Sequence, residues 1–241
     1  MELVSHVVVD GATRIGAGTR VWPFASIGGD PQDLKYKGEP TRCEVGPRCV
    51  IREGATINRA SVGGEGVTRL GADCMVMTTA HVGHDCIVGN GVILANNVML
   101  GGHVHVGDNA FLGGGAAITQ GVHIGRLAMV SGLSGVTNDI PPFGYVFGLP
   151  ARLVGFNLVG MRRRGHKAAE FRQIRVLMRL LFSGAGVFAE RLQQAEAEYG
   201  GTVLGREVLD FVGNPKRGRA LIRAGRMAGA EAEAEEPEAE G

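Results

Sequence analysis

Residues Leu70 to Pro141 read LGADCM VMTTAH VGHDCI VGNGVI LANNVM LGGHVH VGDNAF LGGGAA ITQGVH IGRLAM VSGLSG VTNDIP, one six-residue phrase repeated twelve times without a break. Every hexad opens with Leu, Ile or Val, and its fifth place holds only Cys, Ala, Val, Ser or Ile. Neither a helix nor a simple strand has a period of six, whereas a short fixed repeat marks a solenoid whose units bury their apolar side on their neighbours. The expected geometry is a triangular coil with one hexad per side, so that a turn takes three hexads. The aliphatic first residue points inward and the small fifth residue sits where the walls converge. Gly recurs at the second place (Gly71, Gly83, Gly89, Gly101, Gly107, Gly113, Gly125), where a tight corner is expected to need positive φ. Periodicity does not give the hand of the coil, and parallel crossovers are right-handed in about 98% of cases.

The repeat extends toward the N-terminus as VDGATR, IGAGTR and VWPFAS, then VGPRCV and IREGAT, interrupted by polar, Gly-rich stretches near 28–44 and 61–69. Both are expected to be surface loops grafted on corners. After Pro141 the hexads stop, and FGYVFGLPARLVGFNLVG reads as a short irregular bridge. From about Lys167 the period becomes helical, with Phe171, Ile174, Leu177, Met178 and Leu181 forming one apolar stripe. A second helix is expected up to Glu198, with shorter ones around Arg206 to Val212 and Arg217 to Arg223. The chain thus divides into a repeat domain over 1–158, a helical domain over 159–226 and a tail over 227–241. The tail is acidic, carries no base, and is expected to be disordered.

A chain of 241 residues with 40 Gly and only 5% aromatics suits a narrow aliphatic prism. No apolar run approaches the roughly 20 residues that span a bilayer, and MELVSHVVVD lacks the layout of a signal peptide. An integral membrane segment is therefore not expected, and a cytoplasmic location follows as the default. The net charge of +1 gives no ground for a nucleic-acid partner. It conceals a basic stretch from Met161 to Arg226 that could steer an acidic partner. Cys43, Cys49, Cys74 and Cys86 lack paired CxxC spacing and read as buried thiols rather than metal ligands.

Residues three hexads apart stack in adjacent coils. The sixth-place column Met75, Ile93, Phe111, Met129 should point outward as an apolar ridge, which suits an interface and, on a three-sided prism, a homotrimer. His84 stacks under Gly102 and then Gln120, Asp85 stacks under His103, and His81 lies three residues before His84. Two chemistries fit that patch. In one, His84 is a general base toward a substrate hydroxyl, Asp85 orients its ring, and the Gly102 amide faces an oxyanion. In the other, three imidazoles among His81, His84, His103, His105 and His123 hold a catalytic zinc. The Asp85 carboxylate beside His84, with Gln120 in the column, fits the first better.

With QDLKYKGEPTR, AHVGHDCIVGN, ILANNVMLGGHVHVGD, SGLSGVTNDIPPFGYVFG and NLVGMRRRG together, the chain resembles the acyl-[acyl carrier protein]–UDP-N-acetylglucosamine O-acyltransferases, which open lipid A synthesis. The resemblance covers nearly all of residues 5–224. It implies a left-handed parallel β-helix of hexapeptide repeats followed by a small α-helical domain, assembled as a trimer with active sites between subunits. It also implies transfer of an (R)-3-hydroxyacyl group from the phosphopantetheine thioester of acyl carrier protein to the sugar 3-hydroxyl, with no metal and no loose cofactor. By the same resemblance His84 is the base, Asp85 its partner and Gly102 the oxyanion donor. His81, His103 and Gln120 would hold the sugar, and Asp33 and Lys35 would meet the acyl hydroxyl or the nucleotide. Asn157, Arg163 and Arg164 would lie near the nucleotide and its phosphates, where guanidinium suits diphosphate, and Gly132 would form the floor of the acyl groove. Asn58 and Thr119 stand where the resemblance leads one to expect His, and Val159 where it leads one to expect an acid. The resemblance also leads one to expect coils ahead of SHVVVDGATRIG. Three other readings remain: a sibling that acylates an amino group of a UDP-sugar, a metal-dependent hydratase on the same fold, and a non-catalytic scaffold.

Overall fold

The computed structural model describes residues 1–184, 186–214 and 219–225. The acidic tail and part of the stretch expected to be helical around Arg217 to Arg223 lie outside them.

Three sheets of nine, seven and six strands, parallel but for one edge strand of the largest, make the walls of a coil, and the chain passes from one wall to the next at each corner. Most strands are two residues long because a hexad spends its remaining four residues on the corner. Pairing joins residues one coil apart: Met75 to Ile93, Phe111 and Met129 on the nine-stranded wall, His81 to Met99, Ala117 and Gly135 on the seven-stranded wall, and Ile87 to His105 and His123 on the six-stranded wall. The two insertions show up as longer steps in this register, where Arg20 pairs with Val50 and Val50 with Met75. They are shorter than the sequence suggests, since Arg42–Val45 and Val67–Leu70 are strands that continue the six-stranded wall.

The core is a column of first and fifth places. Leu70, Val76, Val82, Val88, Leu94 and Leu100 are buried from the first place, and Cys74, Ala80, Cys86, Val92, Val98 and Val104 from the fifth. All four cysteines are buried free thiols, and burial pushes the Cys43 and Cys86 thiols up to about 12. The sixth-place ridge of Met75, Ile93, Phe111 and Met129 lies half-buried on the outside of the nine-stranded wall.

The corners correct one expectation. The second-place glycines are not the left-handed residues; that conformation falls at the fourth place, occupied by Asp73, Thr79, Asp85, Asn97, His103, Asn109, Leu127 and Leu133, all with φ between 56° and 60°. Asp and Asn tolerate this region best among residues with a side chain. The second place needs glycine because backbones touch there: a Cβ on Gly71 would lie 2.5 Å from the Gly89 carbonyl oxygen.

The expected irregular bridge is a hairpin. Gly144–Gly148 joins the nine-stranded wall in parallel, and Ala151–Phe156 returns antiparallel to it. Four helices follow: α1 Leu158–Arg163, α2 Ala168–Ser183, α3 Phe188–Tyr199 and α4 Val203–Gly213. Helix α2 buries Ile174, Leu177, Met178 and Leu181, the stripe read from the sequence. Helix α4 is tied to the coil by a two-pronged Arg126–Glu207 pair, both contacts 2.8 Å. Over residues 219–225 the chain is extended rather than helical: Leu221 bridges to Asp139 and Ala224 to Leu153.

A candidate active site at the corner between two walls

His84 and Asp85 occupy the third and fourth places of one hexad, at the corner between strand His81–Val82 and strand Ile87–Val88. Gly102 and His103 occupy the same corner one coil on, and the His103 amide donates to the His84 carbonyl at 2.8 Å. The repeat therefore stacks these four residues in one place.

His84 and Asp85 are both buried, and His84 Nδ1 lies 2.8 Å from Asp85 Oδ2. The carboxylate fixes the tautomer, with the proton on Nδ1 and the lone pair on Nε2. The same Oδ2 accepts from the Ser61 amide at 2.9 Å and the Ser61 hydroxyl at 2.7 Å. The Asp85 amide donates to Thr68 Oγ1 at 2.8 Å. The ring of His103 meets that of His84 edge to face at 5.1 Å, and its Nε2 lies 3.7 Å from Asp85 Oδ2. A Cβ on Gly102 would fall 2.5 Å from Cε1 and Nε2 of His84, so only glycine fits against the ring. The Gly102 amide makes no hydrogen bond to protein among the described residues. His81 Nδ1 is 2.7 Å from Thr56 Oγ1, and burial, with His84 nearby, holds its pKa below the usual imidazole range.

The corner opens on a cleft of about 780 Å³ along the seven-stranded wall. His81, His84, Gly102 and Gln120 line one part of it, and Met99, Ala117, Gly135 and Leu149 make an apolar run along the wall. Outward residues shrink along that run from Met99 to Gly135, where Leu149 closes it: a Cβ on Gly135 would lie 2.1 Å from Leu149 Cδ1. Asn58 and Thr119 also line the cleft.

Other expected site residues lie elsewhere. Asp33 accepts from the Lys35 amide at 2.9 Å on the first inserted loop; that loop reaches the cleft through Gln32. Gly132 is exposed and packs against the Gly114 carbonyl, outside the cleft. Asn157 is buried as the cap of α1, accepting from the Gly160 amide at 2.8 Å and donating to the Leu127 carbonyl at 2.9 Å. Its side chain is committed inside the protein. Arg163 and Arg164 are exposed on the last turn of α1 and its cap, with Arg164 beside Gly91 at a different corner of the coil. Within one chain they do not share the cleft with His84.

The five histidines considered as zinc ligands fall into two groups. His105 and His123 stack on the six-stranded wall at 4.5 Å and do not line the cleft that His84 faces. Ligand atoms of His84, Asp85 and His103 lie within 4.8 Å of one another. The Asp85 oxygen bonded to His84 already takes three donors, which suits a ring-orienting carboxylate better than a metal ligand. The sequence reading missed Ser61 and Thr68, since nothing in SVGGEGVTR says which loop atoms turn inward.

An in-register hexapeptide coil with a His–Asp pair at one corner defines a hexapeptide-repeat transferase. Residues 68–102 match the bacterial transferase hexapeptide model, residues 103–132 the hexapeptide repeat of succinyl-transferase, and residues 139–220 domain 2 of UDP-N-acetylglucosamine O-acyltransferase. An acyl-[acyl-carrier-protein]–UDP-N-acetylglucosamine O-acyltransferase from Anaeromyxobacter is 48% identical over 190 residues, covering 79% of this chain and 74% of that one. A protein of the same name from Azorhizobium caulinodans is 52% identical over 192 residues, covering 80% and 71%. The solved structure of a UDP-N-acetylglucosamine acyltransferase from Bacteroides fragilis superposes with a TM-score of 0.88 at 32% identity, covering 92% of this chain and 86% of that one. The chain belongs to the acyl-[acyl-carrier-protein]–UDP-N-acetylglucosamine O-acyltransferase family.

Proposed function

We propose that this enzyme moves an (R)-3-hydroxyacyl group from the phosphopantetheine thioester of acyl carrier protein to the 3-hydroxyl of UDP-N-acetylglucosamine, the opening step of lipid A synthesis. The observation that carries this reading is the 2.8 Å contact of His84 Nδ1 with buried Asp85, which leaves Nε2 facing the cleft as a base. Nε2 takes the proton of the sugar hydroxyl as its oxygen attacks the thioester carbon. Asp85 holds the ring and stabilises the imidazolium. The negative charge that develops on the carbonyl oxygen is met by the Gly102 N–H. Collapse of the tetrahedral intermediate breaks the C–S bond, and the imidazolium returns its proton to the leaving thiolate. The route needs no metal and no loose cofactor. The apolar run from Met99 to Gly135 suits the acyl chain.

The coil is left-handed, the enzyme works in the cytoplasm, and three copies assemble with the half-buried ridge of the nine-stranded wall at the interface. Assembly would bring Arg163 and Arg164 of one copy to the cleft of the next, where the nucleotide diphosphate needs cations. That would account for their separation from His84 within one chain. Among the described residues no helix is long and apolar enough to cross a membrane.

The test is acyl transfer from a series of 3-hydroxyacyl carrier proteins, with UDP-N-acetylglucosamine and its 3-amino analogue as competing acceptors. Ester product from the hydroxyl sugar, identified by mass spectrometry, is expected. Amide product alone would replace this reading by that of the amine-acylating sibling. Light scattering should give three times the chain mass.

A further inference from the structure

The hexad ladder supplies the base, its carboxylate and the facing amide, but it does not supply what holds the carboxylate. Asp85 sits on a left-handed backbone, φ 59°, and its side chain has two oxygens that could each serve His84. Only Oδ2 is used: it takes His84 Nδ1, the Ser61 amide and the Ser61 hydroxyl. Oδ1 is buried with no partner among the described residues and faces Gly64, whose Cβ would be 2.7 Å from it. The second inserted loop thus doubles back over the rear of the corner as a strap. Behind the carboxylate lies a small cavity of about 80 Å³, which the strap lines with Gly64 and Glu65 and the coil with Asp85, His103 and His105.

We propose that Ser61 is a positioning residue, whose hydroxyl and amide clamp the Asp85 oxygen that orients the imidazole of His84. Two donors from one residue fix both the rotation of the carboxylate and the identity of the oxygen presented to the ring. Without the hydroxyl, the Ser61 amide is the one loop donor left to hold the carboxylate against the ring, and a buried hydrogen bond to a charged group is among the stronger ones. Thr68, which accepts from the Asp85 amide, fixes the backbone but leaves the side-chain torsions open. The start of the strap therefore adds a side-chain donor to the carboxylate. The kinetic consequence rests on the acyl-transfer reading, whereas the clamp itself does not.

The experiment compares Ser61→Ala with Ser61→Thr in the full chain. In Ser61→Ala, kcat should fall about tenfold while KM for UDP-N-acetylglucosamine stays within about twofold, because Ser61 touches Asp85 and not the sugar. Ser61→Thr, which restores the hydroxyl, should recover most of the loss. Proton spectra of protein labelled at histidine nitrogens supply a readout without substrate. The downfield His84 Nδ1–H signal of a carboxylate-bonded imidazole should be present in the parent and in Ser61→Thr, and broadened or lost in Ser61→Ala. A sharp, unmoved signal in Ser61→Ala overturns the clamp, whatever the activity. So does a kcat equal to the parent's. Absence of acyl transfer by the parent, with the signal lost in Ser61→Ala, would instead sink the proposed reaction and leave the clamp standing.

Discussion

The coil carries two histidine pairs with a buried aspartate at hand, and only one is built as a site. At the His84 corner the rings of His84 and His103 meet at 5.1 Å and 88°. On the six-stranded wall the rings of His105 and His123 meet at 4.5 Å and 76°. Asp85 gives its Oδ2 to the His84 ring at 2.8 Å. Asp139 instead gives Oδ1 to the His123 backbone amide at 2.8 Å, and its Oδ2 stays 3.9 Å from the ring. The cause is position within the hexad. Sixth-place residues stand in strands and stack side by side on the outer face of a wall, as His105 does on His123. Third- and fourth-place residues turn a corner, so a carboxylate and the ring before it converge, and a glycine one coil on leaves its amide exposed to them. Residue types alone do not make the chemistry; the corner does.

Replacing His84 by Ala should reduce turnover about 10³-fold, whereas His105→Ala should leave it within about twofold. Equal losses would erase the distinction between the two pairs. Asp85→Asn should cost at least about 10²-fold through misorientation of the ring, while Asp139→Asn should lower the melting temperature and leave turnover per folded molecule unchanged. Gly102→Ala should cost about 10²-fold, because its methyl group would press on Cε1 and Nε2 of His84. Circular dichroism should show the variant folded, and normal turnover would remove the close approach of amide and ring from the mechanism.

The smallest effect concerns pH. Burial, with neighbouring imidazoles, lowers the pKa of both His81 and His105. A histidine held neutral in the fold takes its proton more readily when unfolded, near pH 6.5. Its stabilising contribution is therefore complete above that value and is lost as pH falls below it. Melting temperatures from pH 7.5 to 5 should decline, and His105→Gln should flatten the decline slightly. A steeper decline in that variant would contradict the sign.

The hexads made the coil, its inward column and the apolar stripe of α2 readable from residues alone, because each depends on spacing that the coil and helix repeat. The stacking of Gly102 and His103 on His84 and Asp85 was legible for the same reason. Ser61 and Thr68 were not, since an insertion has no period and its inward atoms are chosen by the loop's own turns. Left-handed fourth places were hidden behind residues as different as Asp85, Thr79 and Leu127; steric fit of the corner, not side-chain preference, sets them. Around Leu221, a basic stretch expected to be helical is extended instead, because its backbone pairs with Asp139 at the end of the coil and Leu153 of the hairpin, tertiary contacts that local propensity does not encode.

The fixed step between paired residues, such as Ile87 with His105, also limits how this chain can change in length. Losing or gaining a single hexad between His84 and Gly102 would turn every later residue onto another wall and carry Gly102 away from the imidazole. A whole turn inserted beyond His103 would leave the corner whole and merely lengthen the prism. Loops hung outside the coil are likewise free to grow. Length variation in such a molecule is therefore quantised: whole turns, or excursions that leave the winding untouched.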